Sequence, residues 1–190
     1  MLEKLVVQNR TYRSFEPTAP ISHEVMLGLV DLARRTASGM NRQPLRYRIL
    51  SDSDEVTAMT GLCRFGSALK DVKLPPEGMG PTGYILIFTD TEAASPDTLA
   101  LKDVGIAAQT ILLGAVEQGF GGCMLGSFHP ERLCETFEIS PRYVPQLAIA
   151  LGKPAEVAVL TEPRDGSLTY YRDENGTHYV PKRPLADIMI

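Results

Sequence analysis

The chain has 190 residues, of which 44% are apolar and 22% charged, with a net charge of −4. That is length for one domain with a sizeable core, and the acidic balance argues against non-specific nucleic-acid binding. Cys63, Cys123 and Cys134 form no CxxC pair, which points to free thiols in a reducing compartment.

Along the chain, helices and strands alternate, with no internal repeat. LEKLVVQNR reads as a short opening helix. SHEVMLGLVDLARRTAS is a clearer one: Ser22 can cap it, and Val25, Met26, Leu29, Val30 and Ala33 recur at helical spacing. LRYRIL, residues 45–50, alternates like a half-buried strand. Residues 54–63 suit a third helix, GMGPTG a loop and YILIFTD a buried strand. Residues 97–118 are apolar on nearly every side and predict a central helix. The apolar run within it, around 104–116, contains Gln109 and is flanked by Asp103 and Glu117, too short and broken to span a bilayer. A strand near CMLGSF, a short helix opening at Pro130 and a strand QLAIAL follow. Asn175-Gly176 sits between two β-prone runs and predicts a hairpin. PKRPLADIMI reads as an extended tail whose apolar residues need cover. With no basic-then-apolar opening segment, the expected location is cytoplasmic.

The familiar chemical signatures fail on inspection. GFGGCMLG, residues 119–126, has Met124 where a dinucleotide fingerprint needs glycine, and it follows a helix instead of a strand, so it reads as a helix cap and turn. His23, His129 and His178 are far apart, with no metal-ligand spacing. Cys123 and His129 lack a third group to order them. No phosphate-binding P-loop is present. What remains are three polar stretches: NRTYRSF at 9–15, TASGMNRQPLRY at 36–47, and PKR at 181–183. Together they suit an anionic, planar cofactor, since arginines offer forked donors to phosphate while hydroxyls and amides serve a ring edge. A cofactor that carries the chemistry removes the need for a catalytic dyad.

These stretches resemble, in order, segments of the nitroreductase family of FMN-dependent oxidoreductases. RTYRSF resembles the family's RxSxRxF-like start. ARRTASGMNRQPLRY resembles its Ser-x-x-Asn-x-Gln-Pro segment, with Leu45 where an aromatic often stands and Ala37 where proline is frequent. DVGIAAQTILLGAVEQGFGGCMLGSF resembles its central helix and glycine turn, QLAIALGKPAE its late strand, and YYRDENGTHYVPKRPL the basic tail of a shorter subgroup. The resemblance implies an α+β fold, a mixed and mainly antiparallel sheet sandwiched by helices, in an intertwined homodimer. One FMN-binding domain would cover 1–190, with a tail from about 168 packing on the partner.

It also implies a site. Arg10 and Thr11 match positions that hold the FMN phosphate and ribityl chain, with Asn9 replacing a frequent arginine. Arg13 matches a cation at the N1/O2 edge of the ring. Ser38 and Asn41 match a segment supplied by the partner subunit. Leu125 and Gly126 match backbone positions facing N5 and O4, and Lys182 and Arg183 match basic residues closing on the phosphate. The implied activity is transfer of hydride from NADH or NADPH through flavin N5 to a small-molecule acceptor, a nitroaromatic or quinone, in ping-pong fashion. Two alternatives stay open: an FMN-binding redox sensor or flavin carrier, and a specialised flavin dehydrogenase or dehalogenase. Acceptor choice is expected to lie near residues 61–83.

Overall fold

The computed structural model describes residues 1–66 and 72–190. Part of the 61–83 stretch expected to select the acceptor therefore lies outside the described residues. The chain opens with α1 (Leu2–Gln8), which buries none of its residues. α2 (His23–Ala33) starts where Ser22 Oγ accepts a hydrogen bond from the Val25 amide at 3.2 Å. The alternating run forms β1 (Leu45–Leu50), and α3 (Ser53–Leu62) follows, capped by Asp52. The continuous apolar run forms β2 (Gly83–Asp90), buried along its whole length. The remaining main elements are α4 (Thr98–Glu117), β3 (Gly121–Leu125), α5 (Pro130–Thr136) and β4 (Tyr143–Gly152).

The four strands form one antiparallel sheet in the order β1-β2-β4-β3. β2 and β4 are its centre, and side-chain alternation along them supplies both faces. Ile85, Ile87, Ile149 and Leu151 pack with α2 and α4. Tyr84, Leu86, Phe88, Ala148 and Ala150 pack with α3 and α5. Complete burial of each large side chain contributes roughly 1.5–3 kcal/mol, so the two layers hold the sheet from both sides. This is the sandwiched antiparallel sheet expected from the sequence. The sandwiched sheet is wholly antiparallel; parallel pairing of named strands occurs in a second, three-stranded sheet, where β5 (Ala158–Thr161) runs parallel to β7 (His178–Pro181) and β6 (Tyr171–Arg172) antiparallel to it.

Two expectations shift. α4 runs 20 residues and is long and apolar enough to match a membrane span by length and composition, unlike the shorter run read from the sequence. It packs on the sheet through Val104, Ala107, Ala108, Ile111, Leu112 and Ala115, while Leu101 and Ile106 stay exposed. The glycine cluster also divides its work. Gly119, at φ +81°, ends α4 in the left-handed conformation. Gly121 and Gly122 lie inside β3 instead of in a turn.

Gly121 lets the N-terminal segment approach, and Gly122 lets β3 pack closely on β4. Thr11 bridges to Gly122, and the Tyr12 amide donates to the Gly122 carbonyl at 3.0 Å. A Cβ on Gly121 would stand 2.5 Å from the Tyr12 ring, and one on Gly122 2.4 Å from the Ala150 carbonyl oxygen. Beyond this contact, the Phe15 amide donates to Met79 O, Glu16 N to Lys153 O and Ala155 N to Ser14 O. Residues 11–16 are thereby sewn to β3 and the end of β4.

Gly122→Ala should destabilise the protein by about 3 kcal/mol, because a backbone carbonyl cannot rotate out of the way. Gly119→Ala should cost about 1 kcal/mol, the strain of the left-handed conformation alone. Urea unfolding of both variants checks the order. A Gly122→Ala protein as stable as the wild type would contradict the close approach.

Candidate functional site

The stitching of residues 11–16 aims the side chains of the opening segment. Arg10 is half-buried; its Nη2 donates to the Val6 carbonyl at 2.7 Å, and its Nε is buried with no acceptor. Burial lowers its pKa. Thr11 is exposed. Arg13 is only 8% exposed. Its Nη1 reaches the Thr11 carbonyl at 3.5 Å and His178 Nε2 at 3.4 Å, and its guanidinium lies 5.2 Å from the Tyr170 ring centre. Its Nε, too, has no acceptor.

A buried carboxylate fixes this segment from behind. Glu156 Oε1 accepts from the Arg13 amide and from the Ser14 amide, the latter at 3.0 Å, and Oε2 pairs with Arg172 Nη2. His178 completes the cluster at 1% exposure. Arginine can only donate, so His178 Nε2 must accept and Nδ1 carries the proton. Nδ1 is buried with no partner, as is Arg172 Nε. Burial above all, then the charges of Arg13 and Arg172, pushes the His178 pKa down to about 4.

The end of β3 lies on the same side of the molecule. Leu125 is buried and Gly126 exposed. No heavy atom lies within 4 Å of the place a Cβ on Gly126 would take, so the backbone there is open to a ligand. The segment after α3 runs alongside: Cys63 bridges to Phe128, and the Arg64 amide donates to the Ser127 carbonyl at 2.9 Å. A Cβ on Gly66 would stand 3.6 Å from Arg13 Cδ. Arg10, Thr11, Arg13, Leu125 and Gly126 thus converge on one edge of the sheet.

The other expected residues stand apart. Ser38 Oγ donates to Asp103 Oδ2 at 2.6 Å and accepts from the Gln43 amide at 3.0 Å. Asp103 Oδ1 accepts from the Gly39 amide at 2.9 Å. The Ser38 hydroxyl is therefore engaged by α4 and by its own loop. Asn41 Oδ1 accepts from Gln43 Nε2 at 3.1 Å. Met40, Asn41 and Gln43 all have positive φ, between 48° and 54°, a strained course for non-glycine residues. Asp103 anchors this loop near the start of α4, whereas Leu112, further along α4, lies beside Gly122. Nine helical residues separate the two, roughly 13 Å, so Ser38 and Asn41 do not join Arg10 within the chain. Lys182 and Arg183 are exposed beyond β7, and their side chains form no hydrogen bond or ion pair among the described residues.

Burial disfavours the thiolate form of all three cysteines. Cys63 and Cys123 are pushed up to about 12 and about 11, mainly by burial, and all three cysteines are free. Among the described residues no group of three potential metal ligands forms. Glu156, Tyr170, Arg172, His178 and Asp103 were not legible as site residues. Their partners are remote in sequence, and only the hairpin cue around Asn175-Gly176 pointed to the region.

Comparison with known proteins identifies the family. The nitroreductase family model matches residues 6–153, and the chain belongs to that family. A Bacillus subtilis (strain 168) protein named "Putative NAD(P)H nitroreductase YodC" is 26% identical over 178 residues, covering 77% of this chain and 86% of its own length. A crystal structure described as a putative nitroreductase in complex with FMN, from Desulfovibrio desulfuricans, superposes with a TM-score of 0.73 at 23% identity, covering 100% of this chain and 95% of its own. An enone reductase of gut-bacterial fatty acid saturation, CLA-ER, has a TM-score of 0.70 at 18% identity, covering 86% and 92%.

His178 makes stability depend on pH. The unfolded chain takes up its proton near the ordinary 6.5, the folded chain only near 4. Its contribution is therefore complete above about pH 6.5 and is lost as pH falls towards 4. His178→Gln should flatten the stability profile in that window, as followed by denaturant unfolding. A variant with the wild-type slope would contradict the buried, neutral imidazole.

Proposed function

We propose that the protein moves hydride from NADH or NADPH to an oxidised small molecule, a nitroaromatic or a quinone, by a ping-pong route on FMN. Family membership supports the coarser statement, an FMN-dependent oxidoreductase. The observation that carries the reading for this chain is a surplus of buried donors. Arg10 Nε, Arg13 Nε, Arg172 Nε and His178 Nδ1 are buried N–H groups without an acceptor, and a buried unpaired donor costs about 1–3 kcal/mol. An anionic cofactor rich in acceptor atoms fits such a surface, and Gly126 leaves room beside it.

In this reading Arg10 and Thr11 hold the phosphate and ribityl chain. Arg13 sets its charge at the N1/O2 edge, where it favours the negative charge gained on reduction. The backbone of Leu125 and Gly126 meets the N5/O4 edge. Bound FMN supplies hydride uptake and release at N5. CLA-ER, by its description an enone reductase, adds conjugated enones to the acceptors worth assaying.

The proposed assembly is a homodimer. The Ser38–Asn41 loop projects Met40, 87% exposed, into solvent, and that loop would reach a partner's flavin. The tail proposed to pack on the partner runs from about residue 168; its residues 171–181 also belong to the chain's own second sheet, and it ends in residues 182–190. There Leu185, Ile188, Met189 and Ile190 are all exposed, with Lys182 and Arg183 preceding them.

The purified protein should be yellow and release FMN on denaturation; a colourless protein that takes up no added FMN would end the reading. Arg13→Gln should lower the flavin midpoint potential. A charged hydrogen bond is worth roughly 1.5–3 kcal/mol, which corresponds to about 30–65 mV for a two-electron couple. Arg10→Ala should weaken FMN binding in both redox states and leave the potential nearly unchanged. Affinity loss without a potential shift in Arg13→Gln would reverse the two roles.

Deleting residues 184–190 should weaken both dimerisation and FMN retention, as measured by light scattering and flavin absorbance. A truncated chain that stays dimeric and fully loaded would refute the proposed tail contact.

A further inference from the structure

The family match ends at residue 153, yet three side chains that contact Arg13 come later. Its amide is held by Glu156, its guanidinium faces Tyr170, and its Nη1 points at His178. We propose that His178 is a positioning residue for Arg13: its neutral imidazole accepts from Arg13 Nη1 through Nε2 and so directs the remaining guanidinium donors toward the cofactor. This rests on the FMN reading above.

The geometry leaves Arg13 few alternatives. The Glu156 carboxylate fixes the backbone end of the side chain. Tyr170 closes one side of the guanidinium, and its ring in turn packs against His178, with centroids 5.1 Å apart. The Nη1–Nε2 contact at 3.4 Å is a long hydrogen bond, and it gives Nη1 its nearest side-chain acceptor among the described residues. Nε is a buried donor left without a partner. The planar guanidinium fixes the relative directions of its donors, so turning Nη1 away from His178 also turns Nε. An imidazolium at this place would meet Arg13 with a proton instead of a lone pair. Burial and the adjacent cations Arg13 and Arg172 keep the ring neutral, with Glu156 balancing Arg172 across their ion pair. The hairpin that carries Tyr170, Arg172 and His178 is thereby part of the site.

Two measurements test this. The first is nitrogen NMR of His178 in the FMN-free protein, where the account requires the proton on Nδ1 and none on Nε2. A proton on Nε2 would overturn it without touching the FMN reading. The second is the flavin midpoint potential of the loaded wild type, His178→Leu, His178→Gln, Arg13→Gln and the Arg13→Gln/His178→Leu double variant. His178→Leu should reduce the preference for reduced over oxidised flavin about tenfold, a fall of ~30 mV. His178→Gln keeps a carbonyl acceptor and should stay within about twofold of wild type, or ~9 mV. In the Arg13→Gln background His178→Leu should add nothing. An equal shift with and without Arg13, or no shift from His178→Leu where Arg13→Gln gives one, would overturn the positioning role alone. A wild-type protein that takes up no FMN would overturn both the cofactor reading and this proposal.

Discussion

The Glu156 carboxylate is the constraint on which the site depends. Its side chain is 4% exposed and its ion-pair partner Arg172 14%. A buried charge is tolerated only when its oxygens are satisfied. Glu156 meets that condition by binding two successive amides of the N-terminal segment with one oxygen and the C-terminal hairpin with the other. Neither piece has a large core of its own. One carboxylate therefore reaches a backbone amide 143 positions earlier in the chain and decides where Arg13 stands. Removing one member of such a pair costs about 3–5 kcal/mol, because the other is left buried and unpaired.

From that anchor the rest follows in order. β2 and β4 give a rigid sheet with both faces covered, and β3 lies on its edge beside the N-terminal segment. Gly121, without a side chain, allows the segment to lie close, and Gly122 allows β4 to do so. The resulting edge presents arginine and histidine donors in excess of the acceptors available to them. At the other end of α4, Asp103 holds a loop with three left-handed non-glycine residues. Strain of that kind persists only when the surroundings over-determine it, and it leaves Met40 projecting from the surface. The chain thus carries a donor-rich sheet edge and a strained loop, set apart along α4, and the proposed function assigns each to one half of a site that a second copy would complete.

Much of the fold was legible because its signals are local. Ser22 and the helical spacing after it mark α2, the unbroken apolar run marks β2, and Asn175-Gly176 marks the β6–β7 turn. Boundaries were less so: β3 begins at Gly121, two residues before the run that suggested a strand, since close packing and not β-propensity selects glycine there. Arg10, Thr11 and Arg13 stood out because they are neighbours in sequence. Glu156, Arg172 and His178 did not, because their chemistry arises from contacts across more than 140 residues or from a hairpin that only folding brings near Arg13. Ser38 shows the converse. The residue is recognisable, but its hydroxyl is engaged by an aspartate 65 positions away, which no local pattern reveals.

The central claim is that the unpaired donors around Arg10 and Arg13 belong to a flavin. A crystal structure of the protein with FMN bound tests it most directly. The account predicts Arg10 Nε within hydrogen-bond distance of a phosphate or ribityl oxygen, and the Arg13 guanidinium at the N1/O2 edge while Nη1 still faces His178. FMN found elsewhere on the chain, with these donors still unpaired, would contradict it.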